Sequence, residues 1–262
     1  MAITAREVKA LRDATGAGMM DAKRALAEAD GDMEQAKQLL REKGLAKAAG
    51  RSDRDNDEGA VAIAAEGDRA AVVQLRSETD FSAKNERFLA LTEALAAAVL
   101  SDGVSAIDAH ASELDDLKLT IKENIEVGTV ELVEAADGDT LDTYLHVQDG
   151  RGVNAVVVEG HGVPADALHQ VALHVAYAKP TYLSADEVPA DEVAAERRSL
   201  LEITKAEGKP EQAWDKIVEG RLRAWLGERV LLEQGLYGEK TRVSDSLGGG
   251  SLVRFVQVVI GA

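Results

Sequence analysis

Histidines and one glycine-rich turn are the residues whose types could support catalysis or metal binding. Gly16-Ala17-Gly18 is the nearest match to a phosphate-binding loop, but it follows a helical pattern and lacks the glycine and lysine signals downstream. His169 and His174 lie five residues apart, about 140° around a helix, whereas a helical zinc pair needs a spacing of four. Cysteine is absent, which excludes thiolate zinc sites and disulfides. The sequence predicts no catalytic residue, no metal site and no cofactor.

The polar segment 77–82 is more typical of an interaction site. Phe81, one of three phenylalanines in the chain, stands where a predicted strand gives way to a long helix. Three neighbours could cap that helix by accepting its free N–H groups: Thr79, Asp80 and Ser82. Phe81 has two interpretations at this point. It either packs onto the helix beside Phe88, or it is an exposed aromatic of the kind that anchors protein interfaces.

Met19 and Met20 form a second candidate surface. Adjacent residues on a helix point about 100° apart, so we expect one methionine to face a small helical core and the other to be exposed. A flexible thioether on a surface suits protein binding, although a single exposed apolar residue is also ordinary.

These candidate residues must be positioned by elements that the sequence pattern indicates. Thr4 and Glu7 form a capping box before one helix. A second helix follows Gly18, and Asp32 caps a third, which Gly44 is expected to end. Further on, apolar runs predict strands, and helical spacing predicts long helices. The strands are placed at 60–64, 71–75, 129–133, 144–147, 155–158 and 252–260, and the helices at 88–99 and 166–178.

Strands followed by a helix occur twice, about eighty residues apart, which predicts an α+β fold with two related core subdomains. Segment 186–234 predicts a helical hairpin, interrupted at Gly208 and Pro210, whose second helix carries an amphipathic stripe with Trp214 and Trp225. The predicted division is a three-helix module at 1–46, a linker at 47–57, a first core subdomain at 58–140, a second at 141–184 with 235–262, and the hairpin at 185–234.

The net charge of the chain disfavours one class of binding partner, nucleic acid. The chain carries −17 overall, of which −11 falls within residues 101–150. Surplus carboxylates repel phosphate backbones, so binding to nucleic acid is disfavoured. There is no apolar run of 18 residues, so no membrane segment is expected, and we interpret the chain as a cytoplasmic protein.

Several motifs together resemble one known family, elongation factor Ts, over the whole chain. They occur in family order: Thr15-Gly16-Ala17-Gly18-Met19-Met20-Asp21-Ala22-Lys23, Thr79-Asp80-Phe81, Glu123-Asn124-Ile125, Tyr144 with His146, Gly152-Val153, His174-Val175-Ala176 with Lys179-Pro180, and Gly208-Lys209-Pro210 with Val218-Glu219-Gly220-Arg221. The resemblance implies a guanine nucleotide exchange factor that binds elongation factor Tu in its GDP form and its nucleotide-free form. Such a factor promotes GDP release without binding nucleotide itself.

The resemblance also implies roles for individual residues. The three-helix module is similar to ubiquitin-associated domains, and its implied contacts with the partner's GTP-binding domain are Leu11, Met19, Met20 and Lys23. The implied centre of the exchange activity is the turn formed by Thr79, Asp80, Phe81 and Ser82. Phe81 would wedge between partner helices and disturb the loop that holds Mg²⁺. Asp80 would meet a helix N-terminus, where a carboxylate suits the positive end of the helix dipole.

Two further implications complete the resemblance. Ile121 and His146 are similar to additional contact positions, but Lys122 stands where some family members have glycine, which questions how closely that loop approaches a partner. The helical hairpin resembles a protruding or dimerising segment, so the sequence leaves homodimerisation through the hairpin open.

Two other classes of function compete with this interpretation. A general adaptor would use the N-terminal module to bind peptides or ubiquitin-like partners, with the remainder as a scaffold. A metal-dependent hydrolase is disfavoured by the spacing of the histidines.

Overall fold

The computed structural model describes residues 3–261 and shows a mixed α+β fold that begins with a group of helices. The helices are α1 (Ala5–Thr15), α2 (Met19–Glu28), α3 (Met33–Ala49), α4 (Asp80–Ala83), α5 (Glu86–Asp102), α6 (Ala111–Ile121), α7 (Ala165–Ala178), α8 (Ala190–Ala206) and α9 (Trp214–Arg229). The strands are β1 (Glu58–Glu66), β2 (Arg69–Ser77), β3 (Glu126–Glu134), β4 (Asp139–Gln148), β5 (Arg151–His161) and β6 (Ser251–Val259). Short 3₁₀ turns occur between several of these elements.

The strands form two antiparallel sheets, each with three strands. Their orders are β1-β2-β3 and β4-β5-β6. In each sheet, two strands joined by a tight turn precede the covering helix, α5 or α7, and the third strand follows it in the chain. β3 therefore completes the first sheet although it stands next to β4 in sequence.

The two sheets face each other, so their central strands are buried on both faces. In β2, Ala71 and Val73 pack toward α5, while Val72 packs toward the second sheet. In β5, Val156 packs toward α7 and Val157 toward the first sheet. Strands buried on both faces read as continuous apolar runs, which is the pattern that the sequence shows here. The order of layers is helix, sheet, sheet, helix.

Gly152 allows the two sheets to approach closely. A Cβ atom at this position would overlap the carbonyl oxygen of Val61 on the facing strand and crowd the side chain of Leu145. Because backbone oxygens cannot move aside as flexible side chains do, this is a position where only glycine fits without moving a strand.

The N-terminal helices follow the predicted capping signals but not the predicted end of α3. Thr4 and Glu7 form the reciprocal capping box, and Asp32 caps α3. The prediction that Gly44 ends α3 is wrong, since the helix continues to Ala49. Gly44 instead lies against α6, where a Cβ atom would overlap the side chain of Leu119. Its small size serves helix packing, and the first residues assigned to the linker are helical.

The hairpin of α8 and α9 is less completely packed than the predicted stripe suggests. Within α9, Val218 and Leu222 are buried, while both tryptophans are only half-buried. Lys205 lies 5.5 Å from the ring centre of Trp214, and Arg229 lies 4.6 Å from that of Trp225. The two cationic side chains therefore cover part of the tryptophan surface that is not buried in a core.

His174 is the most deeply buried histidine and has a structural role. Its Nε2 lies 2.9 Å from Gln234 Oε1, and its Nδ1 accepts a hydrogen bond from the backbone N–H of Tyr237. An accepting Nδ1 requires the neutral ring with its proton on Nε2. Burial lowers the pKa of His174 below its ordinary value.

We expect Gly152→Ala to destabilise the protein by roughly 1–3 kcal/mol, because the added methyl group forces the sheets apart. The matched control is Gly220→Ala within α9, where an added Cβ meets no atom within 4 Å and should stabilise by about 0.5–1 kcal/mol. Chemical denaturation of both variants measures the two changes. Equal effects of the two substitutions would contradict the close approach at Gly152.

We expect the protein to lose stability as the pH falls below about 6.5, because the unfolded chain then binds a proton that folded His174 resists. The sign follows from the lowered pKa in the folded state. His174→Gln should be less stable at pH 8 but should lose less stability between pH 7 and pH 5. Thermal melting over this range compares the two slopes, and parallel slopes would exclude His174 as the cause.

Candidate functional site

A helix of one turn carries the most exposed aromatic side chain of the described residues. Thr79 caps α4 by accepting a hydrogen bond from the N–H of Ser82 at 3.3 Å. Lys84 ends α4, and Asn85 begins α5 as its cap. Phe81 and Phe88 therefore lie on separate helices. Phe88 is fully buried and Phe81 is 84% exposed, so the alternative in which Phe81 packs onto the core is wrong.

The backbone before α4 is fixed by a carboxylate from a distant part of the chain. Glu123 Oε2 accepts hydrogen bonds from the N–H groups of Glu78 and Thr79, both at 3.1 Å, and its Oε1 accepts from the Thr79 hydroxyl at 2.8 Å. In return, Glu78 Oε1 accepts from the N–H of Asn124 at 2.6 Å. We call these four residues the carboxylate clamp.

Asp80 belongs to a group of charges that joins α4 to the second sheet. Lys84 Nζ lies 2.8 Å from Asp80 and 3.3 Å from Asp149, in the turn between β4 and β5. The hydrogen bond from Lys84 lowers the pKa of Asp80, and the two carboxylates raise the pKa of Lys84. Both groups are therefore charged at neutral pH. Asp149 and Gly150 have positive φ, as in the tight turns that join twisted strands.

His146 lies on β4, three residues before Asp149, and is exposed. Its Nδ1 is 3.2 Å from the Tyr144 hydroxyl. Both side chains line a cleft of about 590 Å³ beside the C-terminal end of α7. Arg151 lines the same cleft and binds Glu58 at 2.7 Å. The structure therefore places His146 at the end of the hairpin whose turn contacts Lys84.

Ile121 is the last residue of α6 and is half-buried against the core under α5. Lys122 follows it in the left-handed conformation, with φ of 65°, and its N–H donates a hydrogen bond to Lys118 O at 3.1 Å. Glycine suits this helix-ending position because a Cβ atom disfavours positive φ. Lysine occupies it here without breaking the turn, and Glu123 follows directly.

The N-terminal candidates separate into exposed and buried residues. Met19 is 50% exposed and Met20 is 64% exposed, so the expectation that one of them faces the core is wrong. Alanines and Leu26 form the buried face of α2 instead. Lys23 is exposed. Leu11 is completely buried in the core of the three helices, so its expected role as a contact residue is wrong and its role is packing.

Glu123 and Asn124 are the site residues whose function the sequence did not reveal. The motif Glu123-Asn124-Ile125 was visible as part of the resemblance, but no pattern relates it to a turn more than forty positions earlier. A carboxylate among 47 acidic residues has no feature of its own that marks it as a backbone acceptor.

Within residues 3–261, no three His, Asp or Glu side chains are grouped so that they could hold a metal ion. The helices in that range include none with the length and apolar content needed to cross a membrane.

We expect Lys122→Gly to stabilise the protein by roughly 0.5–1 kcal/mol, since relief of the left-handed strain exceeds the extra entropy that glycine loses on folding. Urea unfolding measures the change. Lys118→Gly, within the same helix, is the control and should destabilise by about 1 kcal/mol. If Lys122→Gly is less stable than the unmodified protein, the contacts of the lysine side chain stabilise the fold by more than its left-handed backbone destabilises it.

The comparisons with known proteins place these features in one family. Residues 78–262 match the family model described as Elongation factor TS. A protein named Elongation factor Ts from Cutibacterium acnes is 45% identical over an alignment of 274 positions that spans both chains completely. Two others of that name, from Clavibacter michiganensis subsp. michiganensis and Clavibacter sepedonicus, are each 43% identical over 88% of this chain and 87% of their own length. The chain that carries the exposed Phe81 turn thus belongs to the elongation factor Ts family.

Proposed function

We propose that this protein is a guanine nucleotide exchange factor for elongation factor Tu and accelerates the release of GDP during translation elongation. The observation that carries the proposal is the 84% exposure of Phe81 on a helix of one turn, in a chain of the elongation factor Ts family. An aromatic ring held away from its own core is available to enter another protein.

Phe81 is the proposed wedge. It enters between helices of the partner and displaces the loop that holds Mg²⁺ beside the phosphates of GDP. Thr79 and Ser82 support this action by fixing the turn that carries the ring. Asp80, which stays ionised, binds the positive end of a partner helix. Its existing contact with Lys84 keeps the carboxylate oriented before the partner arrives.

The N-terminal helices are the proposed docking module, of the ubiquitin-associated type. Met19, Met20 and Lys23 are exposed on α2 and form its contact face, whereas Leu11 supports that face from the core. Ile121 and His146 are proposed as further contacts around the wedge. Because Ile121 ends α6 and His146 lies on β4, the proposed interface is formed by several elements of the fold.

Exchange by such a factor requires a coupling free energy and no active site of its own. The factor binds the nucleotide-free partner more tightly than the GDP-bound partner, and bound GDP weakens the factor by the same ratio. The partner's affinity for GDP therefore falls while the factor is bound. No cofactor, metal or nucleic acid takes part in this scheme, and we place the protein in the cytoplasm, away from membranes.

We assign a separate role in exchange to each part of the chain that the sequence predicts. The module at 1–46, extended by the rest of α3 to Ala49, docks, and the segment up to residue 57 connects. The core parts at 58–140 and 141–184 with 235–262 present the wedge and His146, with their boundary moved to precede Asp139, where β4 of the second sheet begins. The hairpin at 185–234 is the remaining surface, through which two copies associate if the protein dimerises.

We expect Phe81→Ala to slow the factor-stimulated release of GDP by roughly ten- to a hundred-fold, as the loss of a central aromatic anchor does at protein interfaces. The stability of the protein should change by less than about 0.5 kcal/mol because the ring contacts solvent. Release of fluorescent GDP from purified elongation factor Tu, followed by stopped flow, gives the rate, and thermal melting gives the stability.

Val104→Ala is the matched control, since Val104 is another exposed apolar side chain on a separate segment. It should leave the release rate unchanged. Full stimulation by Phe81→Ala would rule out the wedge. Undiminished binding by residues 1–50 alone, with no stimulated GDP release by the full chain, would favour the adaptor function.

A further inference from the structure

We propose that Glu123 is a positioning residue for nucleotide exchange, which holds the Phe81 turn in the direction needed to enter the partner. The inference rests on the proposed function and adds to it a residue that does not itself contact the partner. It concerns the carboxylate clamp of Glu78, Thr79, Glu123 and Asn124.

The clamp satisfies the donors that the Phe81 turn exposes at its base. Helix N-termini leave N–H groups without partners, and a helix of one turn has few hydrogen bonds of its own to hold it. The carboxylate of Glu123 alone accepts hydrogen bonds from the N–H groups of residues 78 and 79 and from the hydroxyl of Thr79. Hydrogen bonds to an ionised acceptor are about twice as strong as those between neutral groups.

Glu123 also sets the direction of the Thr79 hydroxyl. The proton of that hydroxyl is donated to Glu123 at 2.8 Å, so the oxygen presents a lone pair to the N–H of Ser82. The cap of α4 therefore depends on an acceptor outside the helix. An amide at position 123 cannot supply three acceptor contacts, because one of its two terminal atoms is a donor.

The clamp connects three segments that the proposed function uses. Glu78 accepts from the N–H of Asn124, which fixes the loop after Ile121 to the base of the wedge. Asn124 is buried and donates to the carbonyl oxygen of Arg54 at 2.8 Å. Arg54 in turn lies 3.3 Å from Glu78. The exit from the N-terminal helices, the wedge and the Ile121 loop are thus held in one arrangement.

A pre-positioned wedge affects the rate of exchange more than the binding of the factor. Docking by the N-terminal module and the other contacts persists when the turn loosens, so the factor still binds. Fewer bound complexes then hold the ring where it displaces the Mg²⁺ loop. The rate of GDP release at saturating factor falls, whereas a fold that is merely less stable would be compensated by adding more protein.

The test uses Glu123→Gln in the full chain. We expect the saturating rate of GDP release from elongation factor Tu to fall about ten-fold, while the concentration for half-maximal stimulation changes less than about three-fold. Backbone amides of residues 78–84 should exchange hydrogen at least about ten-fold faster, with smaller changes in the sheets. Glu78→Gln, which removes the negative charge from the return contact with Asn124 and from the ion pair with Arg54, should show a smaller effect of the same kind.

The matched control is Glu187→Gln. Glu187 also accepts a backbone N–H, that of Leu183 at 2.7 Å, but lies just before α8, in a segment separate from the Phe81 turn. It should leave both the release rate and the exchange of residues 78–84 unchanged.

The double variant Glu123→Gln/Phe81→Ala separates positioning from general damage. If Glu123 acts through the ring, the double variant should release GDP at the same rate as Phe81→Ala alone. A saturating rate within about two-fold of the unmodified protein, or an undiminished effect of Glu123→Gln when Phe81 is absent, would overturn the inference. Failure of the proposed wedge can be told apart from failure of this inference. In that case Phe81→Ala would have no effect on GDP release, while hydrogen exchange in Glu123→Gln would still show a loosened turn.

Discussion

The contact between the two sheets is the constraint on which the rest of the structure depends. Val61 and Val72 of the first sheet pack against Ala155 and Val157 of the second, and Gly152 lets the strands come close enough for that packing. Strands buried on both faces must be apolar throughout, which explains the continuous runs in the sequence. Each sheet can then bury its outer face only under a helix, so α5 and α7 occupy the two outer layers.

The candidate site is a consequence of this arrangement. Because β5 lies against β1, the turn between β4 and β5 comes beside α4, and Asp149 reaches Lys84. Antiparallel pairing within the first sheet places the start of β3 beside the end of β2, so that Glu123, which precedes β3, meets the backbone before α4. The site is thus assembled where loops from both sheets meet, with the rigid strands setting their separation.

The acidic segment 101–150 supplies specific contacts as well as negative charge. Residues 101–150 carry −11, and much of that charge is on exposed residues that aid solubility. Several carboxylates of this segment have specific partners, and at the candidate site Glu123 accepts backbone hydrogen bonds while Asp149 binds Lys84. Glu123, which is half-buried, organises the loop before α4, whereas exposed carboxylates contribute little to stability.

The sequence by itself determined the α+β class, most element positions, the caps at Thr4 and Asp32, and the family. These depend on local periodicity, on capping chemistry and on several motifs in one order. Tertiary structure decided that Leu11 is core, that both Met19 and Met20 are exposed, that Gly44 lies inside a helix, and that Phe81 points away from the protein. Each of these depends on which distant surface lies opposite a residue. Local patterns record what a side chain prefers, and only packing determines what it meets.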